Sequence, residues 1–130
     1  MVSYPIADLI IRIKNGYQAR RDRITSPYSV YREEILKKLK TLNYIKDYHV
    51  TGEKIKHVSI DLMYDEAGAP AVTDVKIYST PGRRWYAQVK ELKPVLGGLG
   101  YLVLSTPQGI VDNVEARKKK LGGELLFAIW

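Results

Sequence analysis

Residues 101–130, with the sequence YLVLSTPQGIVDNVEARKKKLGGELLFAIW, contain the pattern that decides the fold of this chain. An apolar run at 101–104 opens the segment and a second run closes it, and each predicts a strand. Asp112 followed by Glu115 three residues later is typical of a helix start, so we expect a short helix that ends near Gly122. Two strands with a short helix between them indicate a mainly β segment.

The loop between the first of these strands and the helix is rich in hydrogen-bonding groups. Residues 105–109 offer hydroxyls, a side-chain amide and backbone N–H groups. Loops held by rigid elements commonly carry binding groups, and these groups suit phosphates, riboses and base edges better than bond-breaking chemistry. An ordinary strand connection rich in turn-forming residues is the other interpretation. On the first interpretation the candidate binding residues are Ser105, Thr106, Gln108 and Gly109.

The first part of the chain predicts two helices. The first helix is expected to begin with a cap at Ser3 and to end at Gly16, and the second to run from a cap at Ser29 to about Leu42. Both predictions depend on apolar residues that recur at helical spacing. These residues are Ile6, Leu9, Ile10 and Ile13 in the first helix, and Tyr31, Ile35, Leu39 and Leu42 in the second.

An extended piece between the helices and a later hairpin complete the N-terminal lobe. Residues 44–50 and 55–64 predict the two antiparallel strands of this hairpin, and residues 57–64 alternate between apolar and other side chains as a half-buried strand does. The order of the lobe is then α-β-α-β-β. Residues 66–70 are rich in turn formers, so we place a lobe boundary there. We therefore predict an α+β fold in which an N-terminal lobe, residues 1–66, packs against a mainly β C-terminal lobe with short helices, residues 67–130.

The C-terminal lobe is expected to begin with two strands. They lie at residues 72–78 and 84–87, on either side of a Pro81-Gly82 turn. A short helical turn at 89–92 then stops before Pro94.

The chain carries an excess of positive charge, with 21 Lys and Arg against 14 Asp and Glu and a formal net charge of +7. Its pI near 9.5 is typical of proteins that bind nucleic acid, whose pI is usually above about 9. Residues 1–66 hold 12 cations and 9 anions, and residues 67–130 hold 9 and 5. We therefore expect a polyanionic partner that contacts both lobes. Charge that only keeps the protein in solution is the other interpretation.

The residue inventory argues against catalysis and against a bound metal or cofactor. The chain has no cysteine, which excludes disulfides, thiolate metal sites and cysteine nucleophiles. His49 and His57 lack a companion ligand at a metal-binding spacing, so we expect ordinary strand histidines. Ser105 has no nucleophile-elbow sequence, and residues 97–100 lack the lysine of a P-loop. We predict no catalytic residue, no metal, no cofactor and no small-molecule substrate.

The N-terminal residues do not have the pattern of a secretory signal, and charged residues interrupt every apolar run well short of a membrane span. We therefore expect a cytoplasmic protein with no membrane partner.

Cations and aromatic rings lie side by side after the predicted Pro-Gly turn. Arg83 and Arg84 are followed by Trp85 and Tyr86, a combination that suits phosphates and stacked bases. Because side chains alternate along a strand, only one of the two rings is expected to be free to stack. Arg117 begins a cationic run at the end of the predicted third helix. A solvated helix end, favoured by the helix dipole, explains that run equally well.

Several short motifs match, in order, those of a known family. They are Ile6-Ala7-Asp8, Arg12-Ile13, Pro81-Gly82, Val95-Leu96-Gly97-Gly98-Leu99-Gly100, Ser105-Thr106, Glu115-Ala116-Arg117 and Gly122-Gly123-Glu124, with Trp130 at the end. With these motifs the chain resembles bacterial-type small ribosomal subunit protein eight over essentially its whole length.

The resemblance implies a two-lobed α+β protein of the cytoplasmic ribosome. It implies direct binding to the central domain of small-subunit ribosomal RNA, contact with neighbouring small-subunit ribosomal proteins and a part in assembling the subunit platform. It also implies that the C-terminal lobe makes most of the specific contacts, at an irregular RNA helix that is recognised by shape, backbone and a few unstacked bases. With the cations of both lobes, the predicted RNA-binding residues are Ser105, Thr106, Gln108, Gly109, Tyr86, Arg83, Arg84, Arg117, Gly122, Gly123, Glu124, Arg12, Lys14, Arg32 and Lys56.

The sequence shows three departures from the family pattern. Pro107 stands where a serine is usual, which removes a hydroxyl and fixes the local backbone. Asp112-Asn113 stands where Thr-Asp is usual, so the helix cap is kept while the loop chemistry changes. Val30 stands where a lysine is usual, which lowers the phosphate contact expected of the N-terminal lobe.

Two other classes of function are left open by the residues alone. The first is a scaffold that holds neighbouring ribosomal proteins, with incidental RNA contact. The second is a small hydrolase, for which the residue inventory gives little support.

Overall fold

The structure, a computed structural model, describes residues 5–80, 82–93, 95 and 98–130. Within these residues the chain forms three α-helices and two antiparallel sheets, so the predicted α+β fold is confirmed. The chain divides into two compact units between Thr73 and Asp74, later in the sequence than Glu66. Five residues used in the sequence predictions lie outside the described residues. The sequence assigns them a helix cap, turns or part of a family motif, and they are Ser3, Pro81, Pro94, Leu96 and Gly97.

The N-terminal unit has the predicted order of helices and strands. Its strands form a sheet in the order β1-β3-β2, in which β3 pairs antiparallel with both neighbours. The alternation predicted for β3 is observed, since Val58 and Ile60 are buried. The hairpin strands are shorter than the patterns 44–50 and 55–64 predict. The elements are α1 (Pro5–Gln18), β1 (Arg23–Pro27), α2 (Val30–Thr41), β2 (Asp47–Thr51) and β3 (His57–Asp61).

Helix α1 buries the predicted stripe, because Ile6, Leu9, Ile10 and Ile13 are all nearly inaccessible. The prediction that Gly16 ends this helix is wrong, since α1 continues to Gln18. Gly16 is instead a packing position. A Cβ atom there would lie 2.6 Å from Cγ2 of Ile24, so the absent side chain lets β1 approach the helix. 

Helix α2 begins as predicted, with Oγ of Ser29 accepting a 3.0 Å hydrogen bond from the backbone N–H of Arg32. Its buried face differs from the predicted one. Leu36 and Arg32 are buried, whereas Tyr31 is 36% exposed. The charged Arg32 is drawn inward by polar partners on other elements, which shifts the buried face around the helix axis.

The C-terminal unit is mainly β, with a sheet in the order β4-β8-β6-β7 and β5 also paired with β8. Strand β8 is therefore central, and a β-bulge interrupts its pairing with β6 at Val103/Leu104. The elements are β4 (Val75–Ile77), β5 (Tyr86–Ala87), a 3₁₀ turn (Val89–Glu91), β6 (Tyr101–Thr106), β7 (Gly109–Asp112), α3 (Asn113–Lys119) and β8 (Gly123–Ile129).

The core of this unit forms where α3 packs on the sheet, with Leu104, Val111 and Ala116 among its buried residues. Helix α3 is capped as predicted, since Oδ1 of Asp112 accepts a 2.9 Å hydrogen bond from the N–H of Glu115. It ends earlier than Gly122, at a left-handed Lys120 with φ +56°.

The helices in the described part of the chain are short, and α1 has 14 residues. None of them has the length and apolar character that crossing a membrane requires.

Candidate nucleic-acid interface

The segment 105–109 is a tight β-hairpin and not a free loop. Ser105 and Thr106 belong to β6 and Gly109 to β7, so only Pro107 and Gln108 form the turn. Oγ1 of Thr106 accepts a 3.1 Å hydrogen bond from the N–H of Gln108 and donates a 2.9 Å bond to the carbonyl of Gly109. Gly109 has φ +107°, which favours glycine. The expectation of freely available hydroxyls is therefore corrected for Thr106, whose hydroxyl shapes the turn.

Three predicted site residues form a row across neighbouring strands. Tyr86 of β5 lies directly opposite Glu124 of β8, which lies directly opposite Ser105 of β6. Directly opposed residues of an antiparallel sheet present their side chains on the same face. The sheet therefore places a phenol, a carboxylate and a hydroxyl side by side.

Two glycines bring the neighbouring backbones unusually close to the start of β8. A Cβ atom on Gly122 would lie 2.6 Å from the carbonyl oxygen of Ala87, and one on Gly123 would meet the carbonyl oxygen of Ser105. Glycine is needed at both positions because any side chain would displace these backbones.

A shallow groove of about 620 Å³ opens beside these glycines, and we call it the Tyr86 groove. It is lined by the predicted residues Tyr86, Gly122 and Gly123 and by Pro107, which differs from the family pattern. The sequence did not identify four other lining residues, although two adjacent glycines before a strand are a signal of close backbone approach. Those four are Ala87, Gln88, Val89 and Glu91.

Tyr86 is the more available of the two adjacent aromatic rings. It is 71% exposed, whereas Trp85 is 40% exposed. The Trp85 ring also contacts Tyr78 edge-on and lies under the Arg83 guanidinium. Within the described residues no ring contact or side-chain hydrogen bond is recorded for Tyr86. Both rings thus keep some exposure, and Tyr86 is the less engaged of the two and the better placed to stack.

The predicted cations of the C-terminal unit differ in their surroundings. Nη1 of Arg84 donates a 3.0 Å hydrogen bond to Oε2 of Glu124, so this cation partly neutralises the carboxylate in the row. Arg83 lies 5.1 Å from the centroid of the Trp85 ring. Arg117 is exposed in the last turn of α3. Arg84 therefore supports the row, and the other two are available to phosphates.

The other four predicted cations belong to the N-terminal unit, which ends at Thr73. Arg12 is exposed and pairs with Asp8 at 2.8 Å. Lys56 is exposed and lies 5.4 Å from the Tyr28 ring centroid. Lys14 is half-buried. These three residues are accessible to a polyanion to differing degrees.

Arg32 is a correction to the predicted set. It is 5% exposed, and its Nη1 donates hydrogen bonds to Oδ2 of Asp8 at 2.8 Å and to Oγ of Ser26 at 2.7 Å. Burial of Asp8 acts to raise the pKa of its carboxyl, but the hydrogen bonds from Arg32 and Arg12 outweigh it and hold that pKa below its usual value. A buried guanidinium with these partners stabilises the fold and cannot reach a phosphate.

The two histidines lie on strands β2 and β3 and are exposed. Nε2 of His49 lies 3.5 Å from Oδ2 of Asp61 and 3.8 Å from Oδ2 of Asp47. In the part of the chain that the structure describes, no group of three or more His, Cys, Asp or Glu has an arrangement that could hold a metal ion.

The fold and the charge define a small, basic α+β protein. Residues 4–130 match the family described as Ribosomal protein S8, and the chain belongs to that family. The resemblance predicted from the sequence motifs is thereby confirmed.

Relatives named small ribosomal subunit protein uS8 match over nearly the whole chain. The protein of Dictyoglomus thermophilum is 43% identical over 130 residues, which cover 99% of this chain and 98% of that one. The protein of Rubrobacter xylanophilus is 41% identical over 130 residues, with the same coverage of both chains. The protein of Coprothermobacter proteolyticus is 39% identical over 132 residues and matches all of both chains.

Proposed function

We propose that this protein is a structural, non-catalytic component of the small ribosomal subunit that binds the central domain of small-subunit ribosomal RNA directly and helps to assemble the subunit platform. Membership of the ribosomal protein S8 family supports the subunit assignment. Ribosomal RNA and neighbouring small-subunit proteins are then its partners, and the cytoplasmic ribosome is its location. The net charge of +7 suits a polyanionic partner.

The observation that carries the RNA assignment is the row formed by Tyr86, Glu124 and Ser105 beside the Tyr86 groove. An exposed tyrosine ring can stack on an unpaired base, which is how proteins commonly read single-stranded RNA. A carboxylate accepts hydrogen bonds from a base amino group or a 2′-hydroxyl, and the serine hydroxyl can donate or accept. The row therefore supplies stacking and hydrogen bonding at one place.

The glycines and cations complete the proposed contact. With no side chain at Gly122 and Gly123, a ribose-phosphate backbone can approach the start of β8 closely. Arg117 then binds a phosphate, and the cations Arg12, Lys14 and Lys56 of the N-terminal unit make phosphate contacts of their own. Contacts with phosphates fix position, and contacts with bases give specificity. We accordingly propose that residues 67–130 carry the main RNA-binding surface.

Footprinting of small-subunit rRNA with the purified protein tests the proposal directly. We expect protection confined to an irregular helix of the central domain. The affinity should fall with salt, because each neutralised phosphate lowers log K by about 0.7–0.9 per log unit of salt. Protection elsewhere, or binding that stays flat across a salt titration, would contradict the proposal.

The hairpin turn gives a second test through Thr106. Thr106→Ala removes the hydroxyl that bonds to Gln108 and Gly109, so the turn beside the groove loses its shape. We expect a larger loss of specific RNA binding than for Lys38→Ala, which changes a lysine of α2. Thr106→Ser keeps the hydroxyl and should retain most of the binding. Equal losses for Thr106→Ala and Lys38→Ala in a filter-binding assay would count against the assigned site.

A further inference from the structure

Four side chains at the start of the C-terminal unit form a chain of stacked charges and rings, which we call the cation–aromatic ladder. Nζ of Lys76 lies 5.0 Å from the centroid of the Tyr78 ring. The Tyr78 and Trp85 centroids are 6.0 Å apart with an interplanar angle of 74°. Cζ of Arg83 lies 5.1 Å from the Trp85 centroid. Each contact is within the range of cation–π or edge-to-face interaction.

The backbone at the two ring-bearing residues of the ladder is tied to β8 by hydrogen bonds. The N–H of Trp85 donates a 3.0 Å bond to Oγ of Ser79, which itself donates a 2.6 Å bond to the carbonyl of Leu125. The N–H of Leu125 donates a 2.8 Å bond back to the carbonyl of Trp85, and the N–H of Tyr78 bonds to the carbonyl of Leu126 at 3.0 Å. The backbone that carries the indole is therefore ordered before any ligand arrives, which lowers the entropy lost on binding.

The cations of the ladder are not neutralised by carboxylates. Lys76 and Arg83 are both exposed, and no carboxylate of the described residues lies within ion-pair distance of either. Trp85 remains 40% exposed beside Arg83, and Lys76 lies beyond the Tyr78 ring. The ladder thus presents an exposed indole together with two positive charges that no carboxylate neutralises.

The ladder is separate from the Tyr86 groove. Trp85 and Tyr86 are consecutive residues of extended chain, so their side chains point to opposite faces. The groove lining includes Tyr86 but none of the four ladder residues. A ligand held in the groove would leave the ladder free.

We propose that the ladder is a second RNA contact, in which an unpaired nucleotide stacks on Trp85 while Arg83 and Lys76 bind its flanking phosphates. This inference rests on the proposed function, because it takes the same rRNA as the ligand. A flat aromatic partner uses the exposed indole, and flanking phosphates use both cations. An acidic protein segment would neutralise the cations but would give the indole no ring to stack on.

Fluorescence of Trp85 tests the stacking itself. The chain has two tryptophans, so in a Trp130→Phe background Trp85 is the sole reporter. Titration with a central-domain rRNA fragment should quench its emission along the binding curve measured independently by filter binding. Saturation of the RNA complex without quenching would overturn the inference. Trp85 emission that changes only when other ribosomal proteins are added would identify a protein contact instead and would also overturn it.

Side-chain variants separate this contact from the groove. Trp85→Leu should lower affinity roughly tenfold, as expected for the loss of one base–aromatic stack, while Trp85→Phe should retain most of it. Lys76→Gln and Arg83→Gln should each reduce the salt slope by about 0.7–1. The control is Lys93→Gln, which changes an exposed lysine of the same unit outside both surfaces.

The outcomes distinguish the inference from the proposed function. If the unaltered protein does not bind the fragment, the proposed function fails and the inference fails with it. If the unaltered protein binds and Trp85→Leu binds equally well with an unchanged footprint, only the ladder contact fails. Circular dichroism of each variant checks that the fold is kept, and the fluorescence titration of Trp85 provides the deciding measurement if Trp85→Leu unfolds.

Discussion

Arg84 and Glu124 are joined by a hydrogen bond of 3.0 Å between Nη1 and Oε2, which links the chain just before β5 to β8. The Glu124 side chain is only 15% exposed, so its charge is poorly screened by water. A carboxylate beside RNA would repel the phosphates unless a cation compensates it. On the proposed function, Arg84 supplies that compensation and leaves the second carboxylate oxygen for a donor group of the RNA.

Arg84→Gln should therefore weaken RNA binding by more than the loss of one phosphate contact. We expect a greater loss than for Arg117→Gln, which removes an exposed cation of α3. In the Arg84→Gln background, Glu124→Gln should recover part of the affinity, with a coupling of about 0.5–3 kcal/mol. Filter binding at one fixed salt concentration measures this coupling. The four proteins compared are the unaltered protein, Arg84→Gln, Glu124→Gln and the double variant. Strictly additive losses would show that the ion pair has no role in RNA binding.

Gly123→Ala should destabilise the C-terminal unit. The new methyl group would meet the carbonyl oxygen of Ser105 and lie 3.0 Å from Cγ2 of Thr106, so β6 must shift. Such overpacking costs about 1–3 kcal/mol. Urea unfolding followed by tryptophan fluorescence reports on this unit, because Trp85 and Trp130 both lie in it.

The matched control for this prediction is Gly82→Ala. A Cβ atom at Gly82 has nothing within 4 Å, so the free energy of unfolding should change by less than about 0.5 kcal/mol. If Gly123→Ala is as stable as Gly82→Ala, the close approach of β6 and β8 is not a constraint in solution.

Arg32→Gln should destabilise the N-terminal unit far more than Arg12→Gln. Both arginines bond to Oδ2 of Asp8 at 2.8 Å, but their side chains are 6% and 42% exposed. Removing one partner of a buried pair costs about 3–5 kcal/mol, whereas an exposed pair contributes about 0–1 kcal/mol. Chemical denaturation followed by far-ultraviolet circular dichroism measures the difference.

The salt dependence of RNA binding should rank the same two variants in the opposite order, with the larger effect for Arg12→Gln. At a temperature where both proteins are folded, Arg12→Gln should reduce the salt slope, because its guanidinium is accessible to phosphate. Arg32→Gln should leave the slope unchanged. A reduced salt slope for Arg32→Gln would contradict this and would show that Arg32 contacts phosphate.

Asp8 should make the N-terminal unit sensitive to acid. Burial opposes ionisation, but the hydrogen bonds from Arg32 and Arg12 lower the pKa of Asp8 from its ordinary value of 3.8. A carboxyl whose pKa is lower in the folded state adds stability above the unfolded pKa, and this stability is lost as the pH falls through the folded pKa. Asp8→Asn removes the titration. Between about pH 5 and about pH 2 the variant should lose less free energy of unfolding than the unaltered protein. Identical losses would contradict this.

The sequence predicts best where local patterns and tertiary structure agree. The buried stripe of α1 and the Ser29 cap of α2 follow from spacing and side-chain chemistry within one helix. Gly16 shows the limit of such patterns. In some helices a glycine marks the C-terminal end, whereas in others it lies within the helix and allows a neighbouring strand to pack closely. For Gly16 the nearby position of Ile24 decides between these two roles, and that position is not visible in the local sequence.

The errors at the candidate site have the same origin. Arg32 looks like any surface cation in the sequence, but its guanidinium is bound by Asp8, which is 24 residues away. Ser105 and Thr106 look like loop residues in the sequence because they are polar and precede a turn. They belong to β6 only because they pair with β7 and β8, and local sequence does not reveal that pairing. The row of Tyr86, Glu124 and Ser105 depends on the register of three strands, which no local pattern specifies.

The central place of β8 (Gly123–Ile129) has a consequence for how each copy of the protein is made. The sheet of the N-terminal unit is complete once β3 has been synthesised, so that unit can fold while the rest of the chain is still being translated. Strands β4 and β5 take β8 as their sheet partner, and β8 follows them and α3 in chain order. A nascent chain that has not yet reached Gly123 therefore has no assembled groove, and the surface proposed to bind RNA comes into being only with the last strand.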